Sequence, residues 1–182
     1  DEDSRSFADV IGNSTDHVIT VNLTGLTAAG QRLARWALEA WEMMIDVQFT
    51  EVQIEGDITF DDEDDGAYVT YDTDGLGRLH ANLNISQDWL ADYGTTMDSY
   101  SYSTYLHEIG HTLGLGHMGN YNGASGSITF ANDSYQVSVM SYIPQDVNPN
   151  VDADYAEAAG PMIADILAAQ NIYGVSQVTD GD

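Results

Sequence analysis

His107-Glu108-Ile109-Gly110-His111-Thr112-Leu113-Gly114-Leu115-Gly116-His117 holds three of the five histidines in a chain of 182 residues. Around it Tyr102, Tyr105, Leu106, Ile109 and Leu113 recur at helical spacing, which predicts a helix over 101–113. On that helix His107 and His111 lie about 400° apart, one turn along the same face, where two imidazoles can share one ion. Glu108 points about 100° away from His107, so it ligates poorly but can reach a water held at the ion. His117, six residues past His111, would face away from them on a continuous helix, after about 600° of turn. The helix must therefore stop before it, and Gly114 stands where a residue tolerant of positive φ is needed. The stretch reads as a three-histidine zinc site with its fourth position open, the pattern of a catalytic rather than a structural ion. A solvated polar face explains a lone His-Glu-x-x-His pair, but not the glycine and third histidine at these offsets.

Outward from this helix the chain alternates short strands with turns. A strand is expected at about 17–23, with Ile19, Val21 and Leu23 on its buried face, followed by a helix over 28–45 capped by Thr27. Leu33, Trp36, Ala37, Ala40, Trp41 and Met44 form its apolar stripe. Further strands are expected at about 47–54, 57–60, 67–71 and 79–85. The stretch 114–158 has no clear period. A last helix opens at Pro161, should bury Ile163, Ile166, Leu167 and Gln170, and stops at Gly174. The fold class is α+β.

Thirty acidic residues face four arginines and no lysine, for a formal charge of −26. A field of that sign repels phosphate backbones and anionic lipid, which argues against nucleic-acid and membrane roles; self-repulsion favours a monomer. With no cysteine, metal chemistry falls to histidines and carboxylates. The acidic bias suits a salty or calcium-rich medium, but the run from Asp61 to Asp65 lacks the spacing of an EF-hand loop, so calcium has no motif of its own here. His17 and His80 read as surface or locally bonded residues. The first residues show no basic n-region or apolar h-region, so any targeting or pro-segment is expected to lie outside these residues.

The zinc stretch resembles the metzincin metalloproteases, whose signature His107, His111, Gly114 and His117 match. Ser138-Val139-Met140-Ser141-Tyr142 is similar to the Met-turn of that clan, in which Met140 would lie beneath the histidines. Within the clan the likeness is to the serralysins, secreted proteases of bacteria. Asp57-Ile58-Thr59-Phe60, Asn120-Tyr121-Asn122-Gly123, Ile128-Thr129-Phe130-Ala131-Asn132-Asp133 and the segment from Asp165 to Gly174 carry it. Met118 stands where that family has proline, and no Gly-Gly-x-Gly-x-Asp calcium repeat occurs. Either such repeats were removed or this is a minimal catalytic module.

The resemblance implies a metzincin-type domain with a twisted, mostly parallel sheet, an antiparallel edge strand, an active-site helix and a closing helix. It implies an upper subdomain over 1–117 and a lower one over 118–182. The activity implied is zinc-dependent endopeptidase, extracellular and bacterial, with Glu108 as general base. Tyr142 would ligate zinc and then swing to the oxyanion. The strand carrying Leu79, Ala81, Asn82 and Leu83 would be the exposed edge that binds substrate. Protein or peptide substrates, and a proteinaceous protease inhibitor, are the partners implied. Two other readings stay open. One is another subfamily, astacin-like or matrixin-like, although Met118 replaces the glutamate astacins have after the third histidine. The other is a catalytically silent zinc module, which would have no need of Glu108.

Overall fold

The computed structural model describes residues 17–123 and 127–177. It opens with strand β1 (Val18–Gly25), which buries Ile19, Val21 and Leu23 as their alternation predicts. Helix α1 (Ala28–Glu42) follows, with the Thr27 hydroxyl accepting a bond from Gly30 N. It is three residues shorter than its pattern suggested, and Trp36 and Met44 are half-buried while Trp41 is fully enclosed. The indole N–H of Trp41 donates to Leu106 O (3.1 Å), which fixes α1 across the active-site helix.

Strands β2 (Gln48–Glu51), β3 (Ile58–Asp61), β4 (Ala67–Thr73) and β5 (Leu79–Ile85) complete one sheet in the order β2-β1-β3-β5-β4. All neighbours run parallel except β4, which is antiparallel to β5. The fold is thus the α+β metzincin type, with an antiparallel strand at one edge.

That order corrects the assignment of the edge. Leu79, Ala81, Asn82 and Leu83 lie on β5, paired with β3 on one side and β4 on the other. Ala81, Asn82 and Leu83 are paired with both neighbours and Leu79 with β4, and Ala81, Leu83 and Ile85 are among the most buried residues of the sheet. The edge strands are β2 and, beside β5, β4, one of whose faces is solvated. Alternation marks a strand but not its place in a sheet, so the sequence could not separate these two.

Helix α2 (Gln87–Tyr93), capped by Ser86, was not expected from the sequence. The active-site helix α3 (Tyr100–Thr112) is capped by Ser99 and buries Tyr102, Tyr105, Leu106 and Ile109 completely. Helix α4 (Ile163–Tyr173) closes the chain with Met162 at its N-cap, so Pro161 precedes the helix rather than starting it.

The buried face of α4 also differs from expectation. Ile163 and Leu167 are exposed, while Asp165, Ala169 and Tyr173 face inward. Apolar residues surround this helix on every side, so their spacing names no face. The side chains of Asp165 and Tyr173 decide it, because their polar atoms have partners in the interior.

Candidate metal centre and active site

The end of α3 explains how the third histidine reaches the first two. Gly114 takes φ +90, Gly114 N donates to His111 O (2.8 Å), and Leu115 N donates to Gly110 O (3.0 Å). These two bonds make a Schellman stop, which satisfies carbonyls the helix would leave bare. The same turn aims Leu115 O at His111 Nδ1 (2.8 Å) and returns the chain so that His117 faces the helix. Tyr71 on β4 and Tyr173 on α4 donate to His111 O (2.6 Å) and Leu113 O (3.1 Å), fixing the break from both sides.

His107, His111 and His117 converge. Nε2 of His117 lies 3.3 Å from Nε2 of His107 and 3.1 Å from Nε2 of His111. Ligands about 2.0–2.1 Å from a tetrahedral zinc are separated by about 3.3 Å, so the spacing fits that ion. Each ring is oriented from behind. His107 Nδ1 bonds Val139 O (2.7 Å), His111 Nδ1 bonds Leu115 O, and His117 bonds the backbone of Tyr121. A carbonyl only accepts, so Nδ1 of His107 and His111 carries the proton and Nε2 keeps its lone pair for a metal. Burial, with the neighbouring His111, lowers the pKa of His107 to about 3 and that of His117 to about 4, which keeps both neutral and ligand-ready. Among the described residues this is the one group of three or more His, Asp or Glu side chains close enough to share an ion. His17 and His80 bond locally, to Asp46 O and Gly56 O.

Beneath the triad, Met140 is 2 % exposed. A Cβ at Gly110 would meet its sulfur at 2.6 Å, so the methionine packs against α3 only because residue 110 lacks a side chain. The turn that carries Met140 is held by Asp165, which accepts from Ser138 Oγ (2.6 Å), Val139 N (2.8 Å) and Met162 N (2.9 Å). One carboxylate therefore starts α4 and fixes the peptide whose carbonyl orients His107. Asp165 was not singled out from the sequence, although an acid in the first turn of an otherwise apolar helix was a usable signal.

Tyr142 follows that turn. Its ring lies 4.5 Å from the ring of His117 and 5.6 Å from that of His107, and it stacks on Tyr121 at 4.8 Å and 18°. Tyr121 is itself fixed through its hydroxyl to Asp133 Oδ1 (2.9 Å), an acid that also accepts from Ser141 Oγ (2.6 Å). Tyr121 and Asp133 belong to the site although their identity alone did not mark them for a role.

Glu108 is almost fully buried, and burial raises its carboxyl pKa to about 8. It lines, with His107 and Tyr142, a cavity of about 460 Å³ bounded by Ala67 of β4, Trp89 of α2, and Tyr100, Ser103 and Thr104 of α3. The four residues earlier expected to bind substrate do not line it. The edge strand β4 does, through Ala67.

Two acids of the run 61–65 accept hydrogen bonds from elsewhere in the protein. Asp62 accepts from Thr27 N (2.7 Å) and Gln87 Nε2 (3.0 Å), and Asp64 accepts from the Tyr68 hydroxyl (2.9 Å).

A helix carrying two histidines, a glycine-stopped turn returning a third, and a methionine beneath them define a metzincin-type centre. The chain belongs to the matrixin family of peptidases, Peptidase M10, which matches residues 17–139. Serralysin A of Dickeya chrysanthemi is 34 % identical over 162 residues, covering 84 % of this chain and 34 % of that protein. Serralysin of Proteus mirabilis is 33 % identical over 171 residues, covering 80 % of this chain and 34 % of that protein. Metalloprotease AprA of Pseudomonas entomophila is 31 % identical over 165 residues, covering 80 % and 33 %. The chain spans about a third of the length of these relatives. The likeness to serralysins read from the motif is thus borne out, inside the broader matrixin family. Among the described residues no helix is long and apolar enough to cross a membrane.

Proposed function

We propose that this chain is a zinc-dependent endopeptidase in which Glu108 is the general base. The observation that carries the reading is the convergence of three Nε2 atoms at zinc-ligand spacing, with one of the three histidines, His107, lining a cavity together with Glu108. His107, His111 and His117 would hold the ion. Bound there, zinc would supply a Lewis acid that polarises a peptide carbonyl and acidifies a water.

The remaining steps belong to side chains. Glu108 takes a proton from the attacking water and delivers it to the leaving amide nitrogen. Burial makes its carboxylate more basic than an exposed one, so a proton once accepted is retained until the nitrogen claims it. The phenol of Tyr142, beside His117, donates to the oxygen on which negative charge develops. An extended peptide pairs with the edge strand β4, which reaches the cavity at Ala67. Main-chain pairing of that kind makes proteins and peptides the substrate class. Likeness to the serralysins supports activity outside the cell.

Casein hydrolysis by the zinc-loaded protein tests the reading. Activity should vanish with a zinc chelator and return with added zinc. Glu108→Ala should bind zinc fully and lose at least about 100-fold in kcat/KM. Zinc binding with no hydrolysis by the unaltered protein would favour a silent recognition module instead.

A further inference from the structure

The cavity beside the triad ends on a carboxylate that the proposed reaction does not use. Glu157 lines it, accepts a hydrogen bond from Ser103 Oγ (2.9 Å) and is bonded by the hydroxyl of Tyr155. Ser103 precedes His107 by four residues on α3, so Glu157 is met about one helical turn, roughly 6 Å, along the helix from the metal ligand. A side chain entering from a residue next to the scissile bond must therefore be long to reach it.

The walls between are mostly apolar and aromatic: Trp89, Tyr100, Tyr135, Val139 and Ala158. Trp89 and Tyr100 stack at 5.9 Å and 27°. After burial, the charge of Glu157 is the next cause holding the Tyr100 phenol above its ordinary pKa, which sets the carboxylate close to that wall. No cation among the described residues answers it from within. Among the described residues no ion pair includes Glu157; Arg35 binds Glu51, Arg78 binds Asp74, and Arg32 lies over the ring of Trp36.

We infer that this pocket selects arginine or lysine at one of the two substrate residues flanking the scissile bond, with Glu157 as the specificity-determining residue. The inference rests on the peptidase reading above and extends it to the substrate. The methylene stem of such a residue lies along the aromatic walls, where its cation also meets ring faces. Its head group reaches a carboxylate already oriented by two hydroxyls. An acidic residue in the same position would face Glu157 and Glu108 together and be rejected. The chain's own composition fits, because with no lysine and four arginines it offers few such bonds to another copy of itself.

The experiment has two arms, both on the zinc-loaded chain. In the first, a peptide library is digested and the residues flanking each cut are read by mass spectrometry. Arginine and lysine should exceed leucine at one flanking position by about 10-fold or more, and Glu157→Gln should reduce that ratio by about 10- to 100-fold. Glu157→Lys should turn the preference toward aspartate and glutamate. Apolar residues preferred at both positions would overturn the inference. So would a basic preference that survives Glu157→Gln, because it would then come from the overall negative field.

In the second arm, fluorescence anisotropy measures labelled arginine and leucine peptides on Glu108→Ala, with and without Glu157→Gln. The arginine peptide should bind about 10-fold tighter, and the difference should vanish with Glu157→Gln. Selective binding with no cleavage by the unaltered protein would refute the peptidase reading and keep the pocket assignment. Cleavage with no basic preference would do the reverse.

Discussion

Between Val18 and Thr112 the chain runs through five strands and three helices, whereas between Gly114 and Met162 the described residues form neither. Both regions supply the metal centre, with His107 and His111 from one and His117 and Met140 from the other. The first is held by ladders of backbone hydrogen bonds and by apolar burial, with Phe60, Ile58 and Trp41 wholly enclosed. The second buries polar side chains instead. Asp133, Ser134, Ser138, Ser141 and Asn148 are each at most 2 % exposed, and most of their bonds go to backbone or to one another. Where backbone periodicity does not satisfy peptide groups, short polar side chains do so. An irregular segment can thus be tightly packed where most of its buried polar atoms are paired; Asp133 Oδ2 and Gln145 Oε1 are the buried side-chain atoms of the described stretch without a partner.

The contrast can be broken from either side. Phe60→Ala, in the apolar region, should lower unfolding free energy by about 3–5 kcal/mol in denaturant titration, with an unchanged slope. The folded fraction should keep its metal affinity. Asp165→Ala leaves the donors of Ser138, Val139 and Met162 without their acceptor, which should cost about 2–4 kcal/mol. Unlike Phe60→Ala it should also weaken zinc binding by about 10- to 100-fold in a competition assay, because Val139 O orients His107. If Asp165→Ala behaved like a surface change, polar pairing would not be what holds the irregular region.

Tyr142→Phe sharpens the comparison within that region. It should lower kcat by about 10- to 100-fold while the metal dissociation constant shifts only a few-fold. An unchanged kcat would return Tyr142 to a packing role.

The smallest effect has the opposite sign. Glu108 has its folded pKa raised by burial from 4.5 to about 8. The folded state therefore disfavours its carboxylate, a cost absent below pH 4.5 and complete above pH 8. In the metal-free protein Glu108→Gln should raise stability by about 1–3 kcal/mol at pH 8, and the gain should fade toward pH 4. Thermal melts across that range measure it; a constant difference would contradict the burial argument.

The zinc stretch was legible because its logic is local. Helix rotation relates His107, His111 and Glu108, and the break before His117 follows from Gly114, so the spacing of neighbouring residues was enough. The strands and the caps at Thr27 and Gly174 were legible for the same reason. Sheet order, the buried face of α4 and the anchor at Asp165 were not. Each depends on residues far apart in the chain: β5 is interior because β3 and β4 flank it, and Asp165 faces inward because Ser138 and Val139 await it there. The amino-acid sequence by itself determined which side chains could bind a metal, since periodicity sets their angles. Only the tertiary structure decided which strands lie at the sheet's edges, which helix face is covered and what lines the cavity, since those are set by contacts that no local period encodes.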